Sequence, residues 1–328
     1  MKAAKAIRLI LIITVLTLIS GCGGVKQNGG AQENVQDEPV SEAQQGIELE
    51  EDSSEEPTFF VHPREIEEVK IAADYPFDWE HGSCKYLKDR TVIVSIFLSD
   101  SEYAWNPEDD SDIKLMDLEM ERLSVATDWI VKEADAYGIV PEFLFDWKEN
   151  DDLKYMVAVD EDICNTENEE SIWKIIEDEV ESDALLSKYN AVNILYMIIQ
   201  NIPKNWDLNA LTWIYEEDDY PYEYTLMYPY YKGETVGAPS YAHEILHAFG
   251  AHDLYIANDN ETYVVTEDYL KYLKEIGSRD IMYTVVGTDN RQPGNAIPCE
   301  FSGLDAYYVG IGDEPEEVEE YGLDKSEY

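Results

Sequence analysis

The sequence predicts a mixed α/β (α+β) domain, in which helices pack against a twisted sheet of parallel and antiparallel strands. Apolar runs of strand length alternate with amphipathic segments of helical period, an order typical of sheets covered by helices. A late helical segment then carries closely spaced histidines and a glutamate. We place this domain at residues 85 to 312 of the 328-residue chain.

The individual elements follow from residue type and spacing. Runs of β-branched, aliphatic and aromatic residues predict strands at 91–98, 154–159, 193–199, 210–215 and 222–228. We expect the first and third strands to be buried on both faces and the last two to be partly exposed. Apolar residues three or four positions apart predict helices at 115–137, 170–189, 241–249, 266–276 and 305–311.

The N-terminus resembles a bacterial lipoprotein signal. A basic start is followed by an apolar stretch too short for an ordinary membrane span, and Ser20-Gly21-Cys22 follows. The resemblance implies cleavage after residue 21, lipidation of Cys22, and a protein held at the bacterial cell surface by its lipid anchor. Residues 22–57 are then predicted to form a flexible acidic tether, and residues 58–84 an N-terminal extension.

Charge excludes several classes of partner. The chain has 71 acidic and 23 basic residues, a formal net charge of -48. Such a field repels nucleic acid and anionic lipid headgroups, so we expect neither as a partner, and membrane contact only through the N-terminal lipid. We expect a monomer with an exposed acidic tail at residues 313–328.

Residues 243 to 253, HEILHAFGAHD, contain three of the five histidines. His243 and His247 are four residues apart on a predicted helix, so both imidazoles project from one face and can share a metal ion. Neutral imidazole is a favoured ligand of Zn²⁺. Glu244 is placed to act as a general base beside that metal. Ser240 is the predicted N-cap of the helix.

Gly250 predicts where the helix ends and where a third ligand lies. Glycine permits the positive φ that turns the chain back toward the ion after His247. The register of this turn favours Asp253 as the third ligand, with the neighbouring His252 as the alternative. A more distant alternative is Glu267, which lies 20 residues after His247 on a predicted helix.

With Gly250 and Asp253 in register, this stretch resembles the metzincin metallopeptidases, whose pattern is H-E-x-x-H-x-x-G-x-x-H/D. Aspartate in the last position resembles the variant in snapalysin and in immune-inhibitor-A-like peptidases. The resemblance covers about 45 residues and implies a metzincin-like catalytic domain with bound zinc.

The resemblance also implies a Met-turn, a methionine beneath the metal. Met282, 29 residues after Asp253, is the candidate, and ordinary core packing is the alternative. Tyr283 is a possible substrate contact. So is Tyr224, in the tyrosine-rich stretch 215–231, where the resembled fold has the edge strand that pairs with an extended substrate; packing is again the alternative.

These features predict a zinc-dependent metalloendopeptidase acting on extracellular proteins or glycoproteins. Zinc lowers the pKa of a water molecule, and Glu244 takes its proton and passes it to the leaving amine. Two alternatives remain open. One is a non-catalytic surface adhesin or glycan-binding lipoprotein on a peptidase fold, which would not need Glu244. The other is a zinc amidase acting on cell-wall peptides with the same ligands.

Two further features are weaker. The acidic runs 108–112 and 160–162 are candidates for structural Ca²⁺, although neither has the spacing of an EF-hand loop. Without Cys22, the remaining cysteines allow one disulfide at most and leave its pairing open; they are Cys84, Cys164 and Cys299.

Overall fold

A mixed six-stranded sheet forms the middle layer of an α/β domain in the computed structural model, with helices on both faces. The structure describes residues 83–84, 87–146, 148–160, 162–163, 169–213, 223–255, 265–287 and 290–323. The predicted signal peptide, the lipidation site Cys22, the tether, nearly all of the N-terminal extension and Cys164 lie outside the described residues. The coarse α/β prediction with a mixed sheet is confirmed.

The strands are β1 (Arg90–Ser99), β2 (Glu142–Leu144), β3 (Lys154–Ala158), β4 (Asn193–Gln200), β5 (Ala210–Trp213), β6 (Tyr224–Met227), β7 (Tyr230–Tyr231) and β8 (Glu234–Thr235). The helices are α1 (Asp110–Asp135), α2 (Glu169–Glu179), α3 (Ser182–Tyr189), α4 (Ala238–Ala248), α5 (Glu267–Ile276), α6 (Gly303–Tyr308) and α7 (Glu316–Tyr321). A short 3₁₀ turn at Asp151–Leu153 leads into β3.

The sheet order is β2-β1-β4-β6-β5, and β3 continues beside β1 beyond β2. Strands β1, β4 and β6 are parallel neighbours, whereas β5 runs antiparallel to β6. Strand β5 is therefore the outermost of the described strands on its side of the sheet. The short strands β7 and β8 form a separate two-stranded hairpin.

Each face of the sheet has its own apolar core, because side chains alternate along the strands. One core joins α1 and α4 to strand residues that include Phe97, Met197 and Met227. The other joins α2 and α3 to strand residues that include Ile96 and Ile198. This three-layer arrangement places α4, with its two histidines, directly against one face of the sheet.

A buried polar network joins α4 to α1. The hydroxyl of Tyr241 donates to the carboxylate of Glu119, and Arg122 Nη1 donates to the other oxygen of that carboxylate at 2.8 Å. All three side chains are buried. Burial raises the pKa of Glu119 to about 7, although Arg122 and Tyr241 oppose that rise. Because buried charges are stable only when paired, this network constrains how the two helices meet.

The start of α4 differs from the prediction. Gly237, not Ser240, is the N-cap, and Pro239 lies in the first turn, where its fixed φ is favourable. A side chain at position 237 would meet the backbone of Gly294 at 3.0 Å, and the N–H of Ala238 donates to the Gly294 carbonyl at 2.7 Å. The hydroxyl of Ser240 instead accepts a hydrogen bond from Asn209 at 2.8 Å.

Other elements also depart from the sequence-based boundaries. The predicted helix 170–189 is two helices, α2 and α3, and both contribute to one buried cluster, through Ile176 and Leu185 among others. Strand β6, predicted to be partly exposed, is buried along its whole length because it lies between β4 and β5. The acidic segment 313–328 contains α7, and the side chain of Leu323 is fully buried in the core.

Candidate metal centre

Three side-chain atoms from α4 and the turn after it converge on one point. Nε2 of His243 and Nε2 of His247 are 3.0 Å apart, and Oδ1 of Asp253 lies 3.1 Å and 3.2 Å from them. Both imidazoles are buried, and the carboxylate is 14% exposed. Among the described residues, these three form the one group of His, Cys, Asp and Glu side chains that could hold a metal ion.

The backbone fixes which imidazole nitrogen faces this point. Nδ1 of His243 donates to the carbonyl of Ile281 at 3.0 Å, and Nδ1 of His247 donates to the carbonyl of Ala251 at 2.7 Å. In the neutral imidazole, Nε2 then presents a lone pair. Two imidazole lone pairs and a carboxylate oxygen thus meet within 3.2 Å, an arrangement that a shared cation would stabilise.

The spacing of these donors suits zinc. Tetrahedral ligands at 2.0 to 2.1 Å from zinc are separated by roughly 3.3 Å, close to the three distances found here. Two neutral imidazoles and one carboxylate are also a common donor set for a catalytic zinc ion.

Gly250 produces the turn that brings Asp253 to the histidines. Its φ is 98°, a conformation that other residues rarely adopt, and its N–H donates to the carbonyl of His247 at 2.9 Å. The N–H of Ala251 closes the helix end by donating to Leu246 at 3.0 Å. The predicted helix-ending glycine and positive φ are confirmed.

Protonation competes with a metal for this group. Burial disfavours the charged imidazolium, but the hydrogen bond and the negative charge of Asp253 outweigh it and raise the pKa of His243 to about 9. Burial alone would raise the pKa of Asp253. The positive charge of His247 and the hydrogen bonds from both histidines instead lower that pKa below its usual range. The carboxylate is therefore ionised across the physiological range, and its negative charge favours either a protonated imidazole or a metal cation beside it.

Glu244 lies beside this group and is held by the sheet. Its carboxylate oxygen Oε2 accepts a hydrogen bond from Oγ1 of Thr212 on β5 at 2.6 Å. The side chains of Glu244 and Thr212 are both almost completely buried. A carboxylate in this position can accept and release a proton close to the metal-ligand atoms.

The turn that contains Met282 is hydrogen-bonded to α4 and to the loop that follows α4. The side chain of Met282 is fully buried. The N–H of Met282 donates to Asp280 Oδ1 at 2.8 Å, and its carbonyl accepts a hydrogen bond from the N–H of Leu254 at 2.9 Å. The preceding residue, Ile281, supplies the carbonyl that orients His243. This turn therefore supports both His243 and the segment that carries Asp253.

The other candidate ligands lie apart from the group. His252 is buried, and its ring packs edge-on against Tyr308 with centroids 4.6 Å apart. Glu267 is exposed in the first turn of α5. Neither belongs to the potential metal-binding group, so the position of Asp253 agrees with the register of the glycine turn.

The two candidate substrate tyrosines differ in their surroundings. Tyr224 on β6 is fully buried in the core between the sheet and α2 and α3, on the opposite face from α4. The structure therefore does not bring the side chain of Tyr224 to the candidate site. Tyr283 is partly buried, next to Met282, and packs against the core that contains α4.

Sequence reasoning missed three residues near the group: Thr212, Ile281 and Tyr255. The ring of Tyr255 stacks on His243 with centroids 6.3 Å and planes 15° apart. Tyr255 lies two residues after Asp253, so proximity to the motif was the signal that could have found it. Ile281 directly precedes the predicted Met-turn residue, so it had the same kind of signal, whereas Thr212 lies far from both motifs and had none.

In the acidic run 108–112, the carboxylate of Asp109 accepts from the N–H groups of Ser111 and Asp112 and caps α1. Cys84 and Cys299 are free, buried thiols, and the sulfur of each donates to a backbone carbonyl. Their pairing with Cys164 lies outside the described residues.

Comparison with known proteins found no family model that matches this chain and no curated protein similar to it in sequence. Among the described residues, no helix is long and apolar enough to cross a membrane.

Proposed function

We propose that this chain is a zinc-dependent metalloendopeptidase with a metzincin-type catalytic domain. The observation that carries the proposal is the convergence of His243 Nε2, His247 Nε2 and Asp253 Oδ1 within 3.2 Å of one another, next to a buried glutamate. The glycine turn before Asp253 and the buried Met282 turn also support the metzincin type.

His243, His247 and Asp253 would hold the zinc, which would supply Lewis acidity toward water and the substrate carbonyl. The carbonyls of Ile281 and Ala251 keep both imidazoles in the tautomer that binds a metal through Nε2. The carboxylate of Glu244 accepts a proton from the attacking water and delivers it to the leaving amine nitrogen.

A polypeptide substrate is consistent with the sheet. Strand β5 is the outermost described strand on its side and carries Thr212, the residue that contacts Glu244. An extended peptide can add to such an edge through backbone hydrogen bonds. The peptide bonds of this substrate would then lie near the carboxylate of Glu244. Tyr283, which packs against the core that contains α4, is the proposed substrate contact.

We also propose that the domain acts outside the cytoplasm, as a monomer anchored by a lipid on Cys22. The support is the basic, apolar and Ser-Gly-Cys order of the N-terminus, together with the acidic tether sequence that follows it. The strong negative charge is consistent with a soluble, surface-exposed body that does not bind nucleic acid.

The test compares wild type with Glu244→Ala on casein, mucin and peptidoglycan fragments, with and without a chelator. We expect chelator-sensitive hydrolysis of casein or mucin by the wild type. The variant should retain zinc by metal analysis and lose at least about 100-fold in rate, the lower range for a general base. Hydrolysis of cell-wall peptides alone would support an amidase instead. Zinc binding without hydrolysis of any substrate would support the adhesin.

A further inference from the structure

The side chain of Thr212 makes an unusual set of buried contacts. Its hydroxyl lies 2.6 Å from Glu244 Oε2, 3.3 Å from the Glu244 backbone carbonyl and 2.9 Å from the hydroxyl of Thr225. Thr212 and Thr225 are direct partners across the antiparallel pair of β5 and β6. Thr212 is 1% exposed and Thr225 is fully buried.

These threonines interrupt an apolar surface. The neighbouring Ala210 and Met227, on the same face of the sheet, belong to the core that packs against α4. Valine has the same shape as threonine and would fill these positions without burying a hydroxyl. Because a buried hydroxyl is costly unless it is hydrogen-bonded, the carboxylate of Glu244 accounts for the polar residue at position 212.

The direction of the hydrogen bonds follows from the number of protons. Thr212 has one hydroxyl proton, and the carboxylate of Glu244 is its strongest neighbouring acceptor. Thr225 then donates to the oxygen of Thr212. The terminal torsion of a glutamate is intrinsically broad, so a fixed donor on one oxygen restricts the orientation of the whole carboxylate.

We propose that Thr212 is a positioning residue, which holds the carboxylate of Glu244 in the orientation required for proton transfer. This inference rests on the proposed function, because it assigns a partner to the general base of that reaction. It also links the outermost described strand to the base, so the strand that we expect to receive the peptide also orients the proton acceptor.

The experiment measures kcat and KM for casein-derived peptides, zinc content and thermal unfolding in variants of the full chain. Thr212→Val removes the hydroxyl, and Thr212→Ser keeps it. Thr91→Val is the matched control, because Thr91 is a buried threonine of the same sheet that accepts a cross-strand hydrogen bond from Asn193 at 3.1 Å. Strands β4 and β6 separate β1 from β5.

We expect Thr212→Val to lower kcat by roughly 10- to 100-fold, as misplacement of a catalytic group does, with KM and zinc content unchanged. Thr212→Ser should stay within about 3-fold of wild type, since it retains the donor. Thr91→Val should unfold at a lower temperature but keep its kcat. If Thr212→Val does not fold, Thr212→Ser and Thr212→Ala provide the comparison with and without a hydroxyl.

Equal kcat values for Thr212→Val and wild type would overturn the role of Thr212. So would a serine variant as slow as the valine or alanine variant. A wild type that hydrolyses no peptide overturns the proposed function itself, and the role of Thr212 with it. If the wild type is active and Thr212→Val has the same kcat, only the positioning role of Thr212 is overturned.

Discussion

At the scale of single residues, the third member of the candidate metal-binding group depends on one position in the chain. Asp253 and His252 are adjacent, and zinc accepts either side chain. The turn at Gly250 brings Oδ1 of Asp253 to within 3.2 Å of both imidazoles, while the ring of His252 packs on Tyr308. The two residues therefore have separate tasks: Asp253 belongs to the candidate metal-binding group, and His252 packs in the core.

Alanine substitutions separate these tasks. We expect Asp253→Ala to weaken zinc binding by more than the roughly 10- to 100-fold loss typical of outer-shell partners, because it removes a direct ligand. His252→Ala should keep zinc affinity near wild type and lower thermal stability, because it leaves a space beside Tyr308. Competition with a zinc-binding dye measures both affinities. The reverse order of effects would place the ligand at 252.

Sequence alone could predict which side chains form the candidate metal-binding group, because the motif is local. His243, His247, Gly250 and Asp253 lie within 11 residues, and helical spacing plus one positive φ determine their geometry. The supports of the site could not be predicted in this way. Thr212 and Ile281 reach the site only through the packing of β5 and of the Met282 turn against α4.

At the scale of the elements, the end of α4 determines whether Asp253 reaches His243 and His247. The backbone at Gly250 has a φ of 98°, which is unfavourable for a residue with a Cβ atom. The hydrogen bonds of Gly250 and Ala251 to the last turn of α4 then fix the direction of the chain toward Asp253.

Gly250→Ala should destabilise the protein by about 1–2 kcal/mol and also weaken zinc binding, because the strained turn displaces Asp253. Gly138→Ala is a matched control, since Gly138 follows α1 with a φ of 74° and a Cβ there meets no atom within 4 Å. The control should lose comparable stability in urea unfolding but bind zinc like wild type. Equal zinc affinities in the two variants would contradict the role of the turn.

The elements themselves were predictable to different degrees. The long apolar runs of β1 and β4 predicted buried central strands, since few other structures bury every residue of such a run. Strand β2 was missed because its three residues form a strand only through pairing with β1. The division between α2 and α3 was also missed, because helical spacing continues across it.

At the scale of the whole molecule, the candidate metal-binding group makes the free energy of unfolding depend on pH. The pKa of His243 is raised to about 9 from an ordinary value of 6.5. In the metal-free protein, the stabilisation from this shift is complete below pH 6.5 and is lost as the pH rises through 9. Zinc must displace this proton, so zinc affinity rises over the same range.

We expect the free energy of unfolding of chelator-treated protein to fall between pH 7 and 9, and the fall to be much smaller in Asp253→Asn. The asparagine removes the negative charge that raises the pKa of His243. Urea unfolding at several pH values measures both proteins. The range starts at pH 7 because Glu119, with a pKa raised to about 7, contributes its own decline below that value. Parallel profiles for the two proteins would contradict the coupling.

The polar network between α1 and α4 joins two distant parts of the chain. Glu119 and Tyr241 are 122 positions apart, and the chain between them supplies five of the six strands of the sheet. A contact of such sequence separation has a high loop-closure entropy cost, which slows folding. The helix that carries both histidines is thus held in place by α1 as well as by the sheet. A fragment that begins after α1 would leave the Tyr241 hydroxyl without its partner Glu119 and α4 without this support.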